Sequence, residues 1–186
     1  MARLRKGCLD SVEIHIRKPE SFDAIAISDT AAGAGVAISA VGTGLEYRLS
    51  GLSFTSPNAD VRRRTVLRFG EHTDLAAELK ATVFVGLCRG TAAYPEERKE
   101  RLDSFATEPV PIVDYAQANG AVLSIEPIGA YMANLLNTTK RTLEFIGPAE
   151  IGGNRAADGY APHVLRRRRH GCVLVRFLSV QRLSSI

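Results

Sequence analysis

Four side chains in this sequence stand where they can do chemistry. The apolar run from Ala121 to Ile125 stops on a carboxylate, Glu126, followed by Pro127. If the run is a strand, alternation puts Val122, Ser124 and Glu126 on one face and Leu123 and Ile125 on the other. Pro127 has no N–H for a ladder, so the strand is expected to stop there, with Glu126 at the rim of a sheet. A rim carboxylate either pairs with a neighbouring Arg or Lys or serves as an acid/base. Glu13 and His15 share one face of a second short run, opposite Val12, Ile14 and Ile16, and can face a substrate or a polar layer of side chains. Arg89 follows a third apolar run, where it can hold a phosphate or hydroxyl or form a salt bridge. Cys88 has no His tied to it by spacing and reads as a small core residue.

The elements needed to position these residues follow from the pattern. Val12 to Ile16 is β-branched and ends at Lys18-Pro19. Phe22 to Ala34 reads as a helix closed by Gly35. Val36 to Val41 is a second strand, followed by Gly42-Thr43-Gly44, which reads as a turn that a ligand can approach closely. A loop from Glu46 to Asn58 leads to a helix from Asp60 to Leu79, in which Val66, Phe69, Thr73 and Ala76-Ala77 recur near the helical period. Arg62, Arg63 and Arg64 form its wet face. Thr82 to Leu87 is a third strand. Helical stretches from Pro95 to Phe105 and Pro109 to Asn119 precede the Glu126 strand, and Asn137-Thr138 caps a helix through Ile146. Strands alternating with helices, and apolar enough to be buried on both faces, indicate a parallel sheet covered by helices. In such sheets the site lies at the carboxyl ends of the strands.

Composition narrows the functional classes. The 186 residues are 45% apolar, enough for a core, and contain no Trp and 6% aromatics, too few for a base-stacking surface. From Ile151 onward there are seven Arg and one acid, Asp158; the remainder holds 17 basic and 19 acidic groups. The body is therefore not a basic nucleic-acid-binding domain. The longest uncharged stretch, Thr30 to Leu45, is short of a membrane span. No basic-then-apolar leader opens the sequence. Cys8, Cys88 and Cys172 fit neither a disulfide framework nor a CxxC site, so a cytoplasmic location is expected.

Taken in order, several blocks resemble the xylose-isomerase-like TIM barrel family, which includes sugar phosphate isomerases and epimerases. They are Asp10 to Arg17, Ala40 to Gly44, Gly51 to Pro57 with Val61 to Arg63, His72 to Leu79, Gly86 to Gly90, Ile125 to Pro127, and Asn134 to Thr138. The resemblance implies an α/β fold, a (β/α) barrel of which about four parallel strands are present, over residues 1–147. It implies a divalent metal of the Mn, Mg or Co type, a small sugar or sugar phosphate as substrate, and proton transfer beside a carbonyl. It assigns Glu126 the double role of metal ligand and catalytic acid/base, and makes Glu13, His15 and Arg89 candidate substrate contacts. A carboxylate beside such an ion moves a proton while the ion steadies an enediolate oxygen. Family members often read Glu-Pro-Ile-Asn-Arg-Tyr-Glu here. In this chain Gly129, Ala130 and Met132 replace the Asn, the Arg and the second Glu, which removes usual sugar contacts. An apurinic-endonuclease-like barrel with a zinc cluster is the alternative within the family, opposed by the acidic body and the lack of a His-rich constellation. A non-enzymatic module whose Arg-rich tail binds anionic partners is the alternative outside it. Half a barrel leaves open sheet edges, so self-association is also expected.

The resemblance fades after Ile146, and residues 148–186 form a basic tail that does not match the family. The further ligands it requires, an Asp in a context like Asp-Thr-x-His-Met and then a His and a Glu, have no matching positions. Gly159 to Gly171 can be encoded so that reading one nucleotide later gives Asp-Thr-His-His-Met-Phe-Tyr-Gly-Glu-Asp-Asp-Met, which contains that motif. The tail is therefore expected to be an out-of-frame reading, and this chain to be impaired as an enzyme. The nucleotide sequence around and beyond codon 147 checks this: the shifted frame should encode that string, and any other string sinks the idea.

Overall fold

The computed structural model describes residues 10–146; the basic tail lies outside the described residues. Four strands, β1 (Ser11–His15), β2 (Ala37–Gly42), β3 (Thr82–Phe84) and β4 (Val122–Ser124), pair in parallel in the order β1-β2-β3-β4. Between them run α1 (Ala24–Ala34), α2 (Gly44–Ser50), α3 (Ala59–Leu79), α4 (Arg98–Thr107) and α5 (Val110–Ala118), and α6 (Thr139–Ile146) follows β4. This is the expected part-barrel of parallel strands with covering helices.

The register explains how one sheet serves two purposes. Ile14, Val41, Val83 and Leu123 lie side by side in one row. The last three are buried, in one cluster with Phe69, Leu75, Ala76 and Leu79 of α3 and Ile112 and Ala116 of α5. Burying such side chains is worth roughly 1.5–3 kcal/mol each. The alternate rows, Glu13-Ala40-Thr82-Val122 and His15-Gly42-Phe84-Ser124, belong to the opposite face. Phe54 extends the core, its ring 4.7 Å from Phe69 and 6.1 Å from Phe105.

Local chemistry sets the boundaries. The Asp23 carboxylate accepts the N–H groups of Ile25 and Ala26, and Gly35 closes α1 at φ 72°. Asn58 caps α3 through the N–H of Asp60, but the closing residue is Lys80, at φ 53°. Arg62 bonds Glu108 at 2.6 Å, so it is tied down rather than part of a purely wet face.

Three elements differ from the sequence expectation. β4 ends at Ser124, three residues before Pro127, because its partner turns away: after Phe84, Gly86 takes φ 50° and opens a 3-10 turn over Gly86–Arg89. The same turn shortens the third strand. In place of the end of the expected turn at Gly44 and the start of the expected loop from Glu46 stands α2, a seven-residue helix with weak periodicity that is held by tertiary contacts. Its Glu46 is fully buried. The carboxylate accepts the Lys18 N–H at 3.2 Å and lies 3.6 Å from Arg68 Nε and 3.5 Å from His72 Nε2.

This cluster makes stability depend on pH. Burial pushes the Glu46 carboxyl up, but the Ser50 and Lys18 hydrogen bonds and the charges of Arg68 and His72 outweigh it and leave it below the usual range. Burial drives His72 down from 6.5 to about 4, against the pull of Glu46. The unfolded chain thus takes up a proton on His72 before the folded one does, and folding is favoured above pH 6.5 and weakened as pH falls toward 4. Glu71, raised chiefly by burial, acts in the opposite sense lower in the range. The urea midpoint should fall between pH 7 and pH 5, by roughly 1–2 kcal/mol of stability. His72→Phe should flatten that slope; an unchanged slope contradicts the assignment. Lys80→Gly should raise stability by about 1 kcal/mol in the same assay, and Gly35→Ala should lower it by a similar amount.

Candidate active-site cleft

Parallel pairing gathers the carboxyl ends of all four strands on one rim, and a cleft of about 500 Å³ opens there. Glu13 and His15 enter it from β1, Gly42 from β2, Phe84 from β3, and Glu126 from the residues after β4. Arg48 of α2 and Tyr131 and Met132 of the following loop complete its wall. The structure therefore brings together three of the four candidate residues.

Glu13 and His15 form a pair, His15 Nε2 lying 3.2 Å from Glu13 Oε1. Burial raises the Glu13 carboxyl, the imidazole lowers it, and the nearby Glu126 charge raises it again, for a net upward shift. Two carboxylates and an imidazole thus share the rim, and a carboxyl held above its ordinary range is suited to giving and taking protons. The pair occupies space that only glycine leaves. A β-carbon on Gly42 would lie 2.5 Å from His15 Cε1 and 2.7 Å from Glu13 Oε1. Gly42, in the segment expected to turn, is accordingly a point of close approach by side chains.

Arg89 is elsewhere. It is 0% exposed and is not part of the cleft wall. One guanidinium N–H, on Nη1, donates to the backbone carbonyl of Glu126. Burial lowers its pKa to about 10 while the Glu126 charge supports the cation, so it stays protonated at neutral pH. Its Nε and Nη2 have no hydrogen-bond partner among the described residues. The expected choice between ligand contact and salt bridge therefore meets a third arrangement, a cation buried behind the rim and bonded to the peptide that carries Glu126.

Thr43 ties the β2 rim to β3: its hydroxyl donates to the Phe84 carbonyl at 2.7 Å and lies 3.1 Å from that of Val85. Cys88, buried beside it, has its thiol pushed up to about 12 by burial, which makes it core rather than nucleophile. Sequence reasoning reads Thr43 only as part of a turn and passes over Arg48, which reaches the cleft from α2, a helix it does not foresee.

The divalent ion implied by the resemblance does not fit this wall. Among the described residues no group of three or more His, Cys, Asp or Glu is placed to hold one, and a hard cation takes about six oxygens. The described residues equally gather no zinc cluster. No described helix is long and apolar enough to cross a membrane.

The comparisons agree with the geometry. A family model described as xylose isomerase-like TIM barrel matches residues 7–150. No curated protein matches the chain. Among solved structures, a D-allulose 3-epimerase from Methylomonas sp. in complex with D-allulose is 20% identical, with a TM-score of 0.61, over 74% of this chain and 47% of that one. An L-ribulose 3-epimerase is 22% identical at a TM-score of 0.60, over 74% and 46%. A 3-keto-D-glucoside 4-epimerase from E. coli is 14% identical at 0.60, over 74% and 53%. The chain spans about half the length of these structures, and at such identities the likeness is one of fold. The family match covers most of the chain, which belongs to the xylose isomerase-like TIM barrel family.

Proposed function

We propose that this chain carries the proton-transfer half of a sugar or sugar-phosphate isomerase or epimerase site. The observation that supports the reading is the convergence of Glu126 with the Glu13–His15 pair in one rim cleft. An ionised Glu126 accepts the proton on a carbon beside a sugar carbonyl. The Glu13–His15 pair, across the cleft, returns a proton or donates to the carbonyl oxygen as charge develops there. Proton transfer by a positioned side chain contributes about 10²–10⁴-fold. The family's divalent ion would steady the enediolate, but the described residues do not assemble its ligands, and no step is assigned to it here. Met132 gives the wall an apolar side chain where family members often carry the second Glu.

Two consequences follow from that composition. The chain should catalyse slow exchange of the substrate's carbon-bound proton without efficient turnover, and added Mn²⁺ should improve neither by much. The purified chain incubated with ketoses in D₂O, with and without Mn²⁺, tests both. Mass spectrometry should detect deuterium at the carbon beside the carbonyl, and Glu126→Gln should cut the rate about 10²-fold or more. Robust turnover that disappears on chelation overturns the metal-independent part of the reading. Exchange that survives Glu126→Gln overturns the role of Glu126.

A further inference from the structure

Past Ser124 the β3–β4 ladder stops, and side chains take over the binding of the segment that carries Glu126. A backbone bond from the Val85 N–H to the Ser124 carbonyl, at 2.9 Å, closes that ladder before β3 turns away. Carbonyls that leave a ladder and stay half-buried, as those of Glu126 and Ile128 do, still need donors. Arg89 Nη1 supplies the first, to the Glu126 carbonyl. Asn137 Nδ2 supplies the second, to Ile128 at 3.0 Å. Asn134 makes a third link, across to the loop after β3. Its Oδ1 accepts the Ala92 N–H at 2.9 Å and its Nδ2 donates to the Ala92 carbonyl at 2.6 Å. One side-chain amide thus pairs with both backbone groups of one residue, much as a neighbouring strand would.

Arg89 and Ala92 belong to one fixed block. The Phe54 N–H donates to the Cys88 carbonyl at 2.8 Å, and the Thr55 hydroxyl to the Arg89 carbonyl at 3.0 Å. The stretch from Glu126 to Asn134, one wall of the cleft, is therefore tied to that block at both ends. Arg89 is not part of the wall, so it acts on the cleft only through the peptide it holds. A carbonyl alone needs only a neutral donor, and a buried cation is a costly one. The charge of Glu126 supports that cation, which gives a reason for it beyond packing.

We propose that Arg89 is a positioning residue for proton transfer, fixing the Glu126 peptide from behind the rim while Asn134 fixes the far end of the same segment. The carboxylate is thereby held at a set place opposite the Glu13–His15 pair. The effect on rate rests on the proton-transfer role proposed for Glu126; the clamp itself does not.

The full 186-residue chain and three variants test it, in the D₂O assay with ketoses, in urea unfolding and by amide hydrogen exchange. Arg89→Met removes donor and charge together. It should cut the saturated rate of deuterium incorporation about 10²-fold, the scale of a misplaced catalytic group, at unchanged KM. Its urea midpoint should hold or rise, since a buried charge has gone. Amides of residues 128–133 should exchange faster, with those of β1 and β2 unchanged. Arg89→Lys, which keeps the charge and an N–H donor, should recover part of the rate. Asn134→Ala, which leaves the buried cation in place, should speed exchange of the same amides, and decides the matter if Arg89→Met does not fold. Unchanged amide protection in the folded variants overturns the clamp. A rate that falls only with the urea midpoint, or Arg89→Lys no better than Arg89→Met, overturns the positioning role. If Glu126→Gln leaves deuterium incorporation unchanged, the proton-transfer reading fails by itself, and amide protection alone then upholds or overturns the clamp.

Discussion

Parallel hydrogen bonding in chain order forces each connection to cross back over the sheet before the next strand can start. The crossings bring helices onto one face, and Val41, Val83 and Leu123 bury against α3 and α5 there. The other face is left to the alternate residues, and the carboxyl ends of all four strands arrive together at one rim. The cleft is thus a product of strand direction. Glu126, more than a hundred residues from Glu13 and His15 along the chain, meets them because all three lie toward or just past the carboxyl ends of their strands.

Holding that rim requires polar groups in places where polarity is costly. Arg89 is wholly buried, with two nitrogens that find no hydrogen-bond partner among the described residues, an arrangement that costs several kcal/mol of desolvation unless charge and hydrogen bonds offset it. The offset comes from the Glu126 carbonyl and the Glu126 charge. Gly90, next in sequence, has φ 85°, and a β-carbon there would lie 1.9 Å from Thr55 Oγ1. Thr55 in turn donates to the Arg89 carbonyl at 3.0 Å. The loop after β3 is therefore a tightly packed block against which the Glu126 peptide rests, and the position of the carboxylate depends on it.

Much of this was legible in the residues. The strands, the closing Gly35 of α1, the Thr138 cap of α6, and the shared face of Glu13 and His15 followed from alternation and cap chemistry. What was not legible depended on contacts across the chain. α2 has too few residues for a clear period, and its buried Glu46 looked like an ordinary loop acid because Arg68 and His72 lie more than twenty residues away. β4 looked longer than it is because the sequence does not show that its neighbour turns off at Gly86. Arg89 looked like a rim residue because it follows a strand, yet the 3-10 turn swings it behind the rim. In each case the local pattern was right and a partner elsewhere decided the outcome.

The order of the strands also bears on how the chain is made. Each strand pairs with the one just before it in sequence, so no described pairing awaits a segment from the far end. A β/α unit leaving the ribosome meets a finished edge of the preceding unit, and the sheet can grow by accretion at the pace of synthesis. Separations of roughly forty residues or fewer keep the loop-closure cost of each addition nearly constant. Every intermediate on that route carries a freshly exposed strand, so the same topology that makes assembly simple leaves the nascent chain dependent on its next unit arriving promptly.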